Sequence, residues 1–117
     1  MSSNRYDFPQ ITKGDTFDGV HFTLLVNTAL VNLTGAVITM DLRLTKTGAS
    51  VKRFTSVNDA DITIDSPGTL GVFEFNNQII DVDAGQYFYD IQILFPDNTV
   101  KTYIEGRWTV TQDVTYE

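Results

Sequence analysis

The sequence predicts an all-β fold in which two antiparallel sheets pack face to face. Residues 86–95 alternate with a period of two that puts Tyr87, Tyr89, Ile91, Ile93 and Phe95 on one face, which is typical of a strand with one face in the core. No segment of useful length shows a helical period. Turn residues separate short apolar stretches at intervals of about 8–12 residues, a spacing that favours a sandwich of about seven or eight strands.

The stretch from Asp81 to Phe95 organises the rest of the prediction. It begins with a polar turn and leads directly into the alternating strand through a D-x-G-x-Y run. The sixth strand of an immunoglobulin-like domain begins in this way, with a tyrosine whose hydroxyl bonds to upstream backbone. We therefore predict an immunoglobulin-like sandwich with Tyr87 as a tyrosine corner, Asp83 and Gly85 in its turn, and a bond to backbone within residues 79–83.

The other elements follow from the same two-residue period. The predicted strands cover residues 6–11, 20–26, 36–45, 50–55, 62–64, 70–75 and 99–111. Residues 76–81 are predicted to form one helical turn or a loop, and Gly106 is predicted to mark a bulge. The domain is expected to span residues 6–112 as a single unit, with a flexible N-terminus at 1–5 and a tail at 113–117.

The apolar side of these strands defines a predicted core. Leu44 is expected to point inward at the end of its strand, Val51 to anchor the next one, and the Trp108 N–H to find a partner at the rim of the sandwich. The remaining core positions are Phe22, Leu24, Ile38, Met40, Leu42, Phe73, Phe75, Tyr87, Tyr89, Ile91, Ile93 and Val110.

The composition excludes several classes of function. A chain of 117 residues without cysteine forms no disulfide, thiolate metal site or cysteine nucleophile. The net charge of −7 and the scattering of eight lysines and arginines along the sequence argue against nucleic acid as a partner. No apolar run approaches the ~20 residues of a membrane helix, and the N-terminus lacks the apolar region of a secretory signal. We expect a protein made in the cytoplasm of its host cell, with no membrane partner.

The sequence shows no catalytic constellation. His21 is the single histidine and is predicted to face outward from its strand, and there is no G-x-S-x-G elbow. Glu74, Asp90 and Glu105 are the acids within strands, but nothing in the pattern indicates a cleft between two of them. We therefore predict that the protein is not an enzyme and carries no cofactor.

Two groups of aspartates raise calcium as an alternative. Asp59, Asp61 and Asp65 lie close together in sequence, as do Asp81 and Asp83. Calcium takes six to eight oxygen ligands, and the Asp81–Asp83 group lacks the third ligand and later glutamate of an EF-hand loop, although a sandwich could bring the two loops together at one end. Because aspartate is also common in turns, we interpret these residues as solvated turn residues and predict no metal.

Outward-facing apolar side chains indicate an interface. Phe88 and Leu94 lie on the polar face of the organising strand, and Leu25 does the same on its own strand. Such a patch often marks a contact with another protein. The alternative is that a loop, the N-terminal lead-in or Tyr103 covers it. The last strand is expected to be an open sheet edge that also takes part in docking.

The order of several motifs resembles the N-terminal domain of the phage upper-baseplate-protein family and related small phage tail proteins. An I-T-K-G-D-T-F run precedes V-x-F-x-L, and L-T-G at 33–35 leads into a strand. G-x-Y-x-Y-D follows at 85–90, then T-x-x-x-G-x-x-x-V at 102–110 and D-V-T at 113–115. The resemblance covers nearly the whole chain, and most of its motifs are turns and core positions.

This resemblance implies an immunoglobulin-like domain that attaches receptor-binding or fibre components to a baseplate. Family members usually continue into a helical or fibre-like region, whereas this chain ends at Glu117, so we expect a stand-alone virion protein. Its partners would be other phage structural proteins and further copies of itself in the tail, baseplate or neck. Two alternatives stay open: a carbohydrate- or surface-binding β-sandwich module, and a capsid decoration protein.

Overall fold

The structure is a computed structural model that describes residues 4–112, and all of the long elements in that range are strands. Single 3-10 turns lie at Val57–Asp59 and Gly68–Leu70. The strands are β1 (Asn4–Arg5), β2 (Ile11–Thr12), β3 (Thr16–Phe17), β4 (Val20–Thr23), β5 (Leu25–Val26), β6 (Ala29–Leu30), β7 (Val37–Arg43), β8 (Lys52–Thr55), β9 (Ile62–Ile64), β10 (Val72–Phe75), β11 (Gln78–Ile79), β12 (Gly85–Leu94) and β13 (Val100–Thr111). The predicted all-β class is confirmed.

Two sheets form the immunoglobulin-like sandwich. The large sheet has the order β1-β13-β12-β7-β8, with β2 also paired to β13, and the small sheet has the order β4-β10-β9. These are the strand neighbours of an immunoglobulin domain, in which strands G, F, C and C′ face strands B, E and D. Two short ribbons, β3 with β11 and β5 with β6, complete the described strands.

The N-terminal segment, residues 4–12, covers the edge of β13, which the sequence had predicted to be open. Strands β1 and β2 run parallel to β13 and pair with it at Asn4–Arg5 and Ile11–Thr12. Between them, the amides of Tyr6 and Phe8 donate to carbonyls of β13 at 2.9 and 3.0 Å. The prediction that the last strand is an edge is therefore wrong, because the pairing partner lies about a hundred residues away in sequence.

Most of the predicted core is buried. Apart from Leu44 and Val51, Phe22 alone of the predicted core positions is only partly covered, and the others are 3% exposed or less. Leu44 and Val51 are 57% and 49% exposed, because β7 ends at Arg43 and β8 begins at Lys52. Part of the expected loop at residues 76–81 is strand β11, in which Ile79 is exposed, and Ile80 directly after it is buried.

An aromatic cluster occupies the centre of the sandwich. Phe8 stacks on Trp108 with 4.3 Å between ring centroids. Phe75 meets Trp108 edge to face at 5.7 Å, and it meets Phe54 edge to face at 4.9 Å. Trp108 is completely buried, and among the described residues its N–H has no hydrogen-bond partner. The predicted partner at the rim is wrong because Trp108 lies at the middle of the core.

The irregularity in β13 falls at Tyr103 and not at Gly106. Ile91 pairs with Ile104 but Gln92 pairs with Thr102, so Tyr103 is the extra residue. Gly106 instead lies under the N-terminal segment, where an added Cβ would come within 1.9 Å of the Tyr6 carbonyl oxygen.

The predicted termini are only partly described. Asn4 and Arg5, which we assigned to a flexible N-terminus, form β1. Residues 1–3 and 113–117, including the tail and the D-V-T motif, lie outside the described residues.

Candidate functional site

The start of β12 contains the tyrosine hydrogen bond expected from the sequence. Gly85 begins the strand opposite Val110, and two residues later the Tyr87 hydroxyl donates to the Asp83 carbonyl at 2.5 Å. Burial raises the pKa of Tyr87, so the hydroxyl keeps its proton for this bond. On its outer side, the Asp83 carboxylate lies 3.2 Å from Lys13. These residues hold a turn and do not form a chemical site.

A second tyrosine on β12 holds the N-terminal segment in place. The Tyr89 hydroxyl donates to the Tyr6 carbonyl, and burial raises the pKa of Tyr89 well above its ordinary range. Gly106 pairs with Tyr89 across the sheet and leaves the space that the Tyr6 carbonyl occupies. The sequence showed Tyr89 only as a core residue, because its acceptor lies 83 residues away.

Phe88 lies on the outer face of the large sheet between basic side chains. The register places it beside Arg43 on β7 and Arg107 on β13. The Arg107 guanidinium is 5.0 Å from the ring centroid, and the Lys46 ammonium is 5.9 Å from it. Phe88 is therefore half-buried under cations, an arrangement in which the ring attracts positive charge.

Asp41, the neighbour of this group on β7, is a buried carboxylate. It accepts hydrogen bonds from Arg53 at 2.8 and 3.1 Å, from Ser50 at 3.0 Å and from Arg43 at 3.3 Å. Burial acts to raise the pKa of Asp41, but the hydrogen bonds from Arg53 and Ser50 and the two guanidinium charges outweigh it, so the pKa is lowered. Arg43 also donates to Asp90 at 3.1 Å.

Five cations share this outer surface, which we call the basic face: Arg5, Arg43, Lys46, Arg53 and Arg107. They are five of the eight lysines and arginines in the chain. A shallow cavity of about 130 Å³ lies among four of them, with Phe88 in its wall and the acids Asp90 and Glu105 beside it. The basic residues are scattered in sequence, but sheet register brings them together.

The opposite surface of the sandwich is acidic. Asp61, Asp65 and Glu74 lie on or beside the outer side of β9 and β10, and we call them the acidic face. His21 on β4 faces outward as predicted, with its Nε2 atom 3.9 Å from Asp65 and 3.8 Å from Glu74. Strands β4, β9 and β10 contain no lysine or arginine.

The predicted apolar patch divides into separate spots. Phe88 and Leu94 share the outer face of β12 but lie six residues apart, which is about 20 Å along a strand. Leu94 is 41% exposed beside Val100, which is 56% exposed. Leu25 lies on β5, which pairs with β6 and not with β12, so it does not extend this surface.

A groove opens at the end of the sandwich near the β12–β13 hairpin, with a volume of about 470 Å³. Phe95 and Tyr103 meet edge to face at 6.4 Å on its apolar side. Polar groups and a proline complete its lining: Asn32, Thr34, Pro96, Asp97, Thr99 and Lys101.

Two of the aspartates considered for calcium are engaged by an amide or a lysine. Asp61 accepts the Thr55 amide at 3.0 Å, and Asp83 pairs with Lys13. Between residues 4 and 112, no three histidine, aspartate or glutamate side chains are grouped so that they could hold a metal ion. In the same range, no helix is long and apolar enough to cross a membrane.

No protein-family model matches the chain, and no curated protein sequence does. Among solved structures, it is similar to CopC from Methylosinus trichosporium OB3b, with a TM-score of 0.45, 11% identity, and coverage of 100% of this chain and 91% of that one. It is also similar to extracellular domains 3–5 of Drosophila OTK, with a TM-score of 0.35, 20% identity and coverage of 92% of this chain. The chain spans about a third, 33%, of that OTK structure. Because both TM-scores are below 0.5, neither similarity assigns a function.

Proposed function

We propose that this chain is a structural protein of a bacteriophage particle, a component of the tail, baseplate or neck that acts through protein–protein contacts. The outer face of the large sheet carries this proposal. It presents Phe88 under two cations at one end and exposed Leu94 and Val100 at the other. A face that met only water would not need either group, whereas a protein interface uses aromatic, arginine and aliphatic side chains together.

The motifs behind the phage resemblance support the same function. Leu33 is completely buried and Gly35 has a φ of +74°, so the L-T-G run forms the entry to β7. The G-x-Y-x-Y-D run supplies both tyrosine anchors of β12. The glycine of the last motif, Gly106, lets the N-terminal segment pass over β13. These residues form one connected frame, so their shared order is consistent with a shared domain.

The test places a double substitution, Phe88→Asp with Leu94→Lys, in the phage genome. Both side chains face outward, so the purified variant should melt close to the wild-type temperature while particle assembly fails. The matched control is Ile79→Asp with Val57→Lys, which changes side chains that are 64% and 50% exposed and lie outside the large sheet. The control should assemble normally.

Normal infectious particles from the Phe88 and Leu94 variant would refute the interface. Loss of folding in that variant would also refute it, because the two residues would then belong to the core. Mass spectrometry of purified wild-type particles tests the wider proposal, since a virion protein must be present in them at a fixed copy number.

The groove beside Phe95 and Tyr103 favours a second candidate, a carbohydrate- or surface-binding module. Its volume is within the usual range of ligand sites, about 300–1,000 Å³, and it combines an aromatic side with hydroxyl, amide and charged groups. A glycan array followed by NMR titration tests this candidate. Asn32→Ala with Lys101→Ala should abolish any binding that takes place in the groove, and a wild-type protein that binds no glycan would exclude it.

A further inference from the structure

We propose that the basic face of one copy docks against the acidic face of a second copy. The inference rests on the proposed function, because a structural protein assembles with further copies of itself, and it names the contact between them. The two faces are the outer surfaces of the two packed sheets, so they point in opposite directions from the core.

Lysine and arginine are unevenly distributed in this small domain. Residues 54–100 contain eight aspartates and glutamates and no lysine or arginine. Three of these acids form the acidic face on or beside β9 and β10, whereas Asp90 on β12 lies on the basic face, where it pairs with Arg43. The basic face holds most of the cations of a chain with a net charge of −7. Surfaces of opposite sign attract during encounter and fix which patches meet. A second copy supplies the required complementary surface without any further partner.

The side chains of the two faces fit this contact. Arg43 and Arg53 are already held by Asp41 and Asp90, which fixes the inner part of the basic face. Lys46 and Arg107 lie further out, over the Phe88 ring. Arg5 lines the same cavity but pairs with Asp7 at 3.2 Å, so Lys46 and Arg107 are the cations of this face that we expect to meet the second copy. Asp65 and Glu74 keep side-chain exposures of 37% and 34%, so their carboxylates can reach this cavity from a neighbouring copy. Charge-assisted bonds of this kind are short and strong.

Because the two faces differ, the contact is heterologous. Each copy that uses its basic face leaves its acidic face free for the next copy, so all copies in the assembly point the same way. Such contacts close into rings or extend as open stacks, depending on the rotation between neighbours. The structure therefore assigns polarity to the assembly, which a two-fold symmetric contact through a single patch would not have.

The test measures self-association of the full chain by sedimentation velocity at two salt concentrations. Screening lengths are about 14 Å at 0.05 M salt and about 4 Å at 0.5 M, so association should be present at the lower concentration and lost at the higher. Lys46→Glu with Arg107→Glu makes both faces acidic, and Asp65→Lys with Glu74→Lys makes both basic. Each double variant alone should associate roughly 100-fold more weakly, or not at all.

Mixing the two double variants gives the decisive readout. An equimolar mixture should recover association at low salt, because a chain with two acidic faces now meets a chain with two basic faces. The matched controls are two double variants with the same charge changes outside the two faces: Lys13→Glu with Lys52→Glu, and Asp15→Lys with Asp81→Lys. Both should keep the salt-dependent association of the wild-type protein. Circular dichroism verifies that each variant folds. If a charge-reversal variant does not fold, the neutral substitutions Arg107→Gln and Glu74→Gln replace it.

Three results would overturn the inference: a wild-type protein that is monomeric at both salt concentrations, a mixture that stays monomeric, or controls that lose association as the face variants do. The proposed function fails separately. If particles contain the protein but the purified chain does not self-associate, the virion role stands and the proposed contact between two copies is wrong. If it associates as described but is missing from purified particles, the contact stands and the virion role is wrong.

Discussion

Gly106→Ala tests how the N-terminal segment is held against β13. The φ angle of Gly106 is outside the left-handed region, so an alanine could adopt this backbone conformation without strain. If the space around it were free, the substitution would stabilise the protein by about 0.4–1 kcal/mol, because alanine lowers the conformational entropy of the unfolded chain. The structure reverses this sign, because the new Cβ would lie 1.9 Å from the Tyr6 carbonyl oxygen and 2.8 Å from the carbonyl carbon. Backbone atoms cannot rotate away, so the segment must shift.

The size of the effect follows from what the shift breaks. The amides of Tyr6 and Phe8, the Arg107 amide on the Asp7 carboxylate and the Tyr89 hydroxyl all bond across this contact. Each such bond contributes about 0.5–1.5 kcal/mol. Phe8 is 5% exposed and stacks on Trp108, and a shift of the segment would partly expose it. Removing a buried phenylalanine side chain completely costs about 3–5 kcal/mol. Partial loss of both predicts a destabilisation of about 2–4 kcal/mol.

Urea denaturation measures this change, and hydrogen exchange locates it. The Tyr6 and Phe8 amides should lose protection while the centre of β12 keeps it. Gly85→Ala is the control, because its Cβ would meet only Leu44 Cδ2, at 3.7 Å, and Tyr87 ring atoms at 3.9 Å or more, all ordinary contacts, and should change stability little. A Gly106→Ala protein as stable as the wild type would refute this account of the segment.

Four further predictions concern the core, the tyrosine corner, the buried carboxylate and metal binding. Ile91→Ala should cost about 2–5 kcal/mol in urea denaturation, because Ile91 is 1% exposed at the middle of the large sheet. Tyr87→Phe should cost about 0.5–1.5 kcal/mol, and an unchanged stability would contradict a role for the bond to Asp83. Because the pKa of Asp41 is lowered in the folded state, its stabilisation is present above about pH 4 and lost as the pH falls below it. Asp41→Asn should therefore cost about 1–3 kcal/mol at neutral pH. The free energy of unfolding of the variant should also fall less steeply than that of the wild type as the pH is lowered below about 4, and parallel curves for the two proteins would contradict this role of Asp41. EDTA should leave the melting temperature unchanged, and a fall would require calcium at the aspartate loops to be reconsidered.

The sequence predicted the parts of the fold that depend on local pattern. Strict alternation located β12 and its buried face, and the D-x-G-x-Y run located the Tyr87 corner within a few residues. These features depend on neighbours along the chain, where a period of two and a turn are directly visible. The same local reading failed at Gly106, because a glycine in a strand indicates either a bulge or a close backbone approach. Only the position of Tyr6 decides between them.

The candidate site was less predictable because it depends on register between distant segments. Arg43, Arg53 and Arg107 become neighbours only when β7, β8, β12 and β13 are aligned. The wrong expectation of an open edge at β13 has the same cause, since no local signal indicates that residues 4–12 run parallel to it. Phe88 and Leu94 were placed on the correct face of their strand, but the basic surroundings of Phe88 could not be read from its own segment.

The pairing of the first described strand with the last has a consequence for synthesis on the ribosome. Residues 4–12 are translated before the other described strands, yet their hydrogen-bond partners on β13 are translated after all of them. Until then Phe8 has no Trp108 to stack on, and the edge of β12 that later pairs with β13 is open. Nascent chains on the same messenger would expose these surfaces to one another, because translation proceeds at only about 5–20 residues per second. Slow synthesis near residue 100 would therefore raise the chance that a segment pairs with a neighbouring chain before its own β13 arrives.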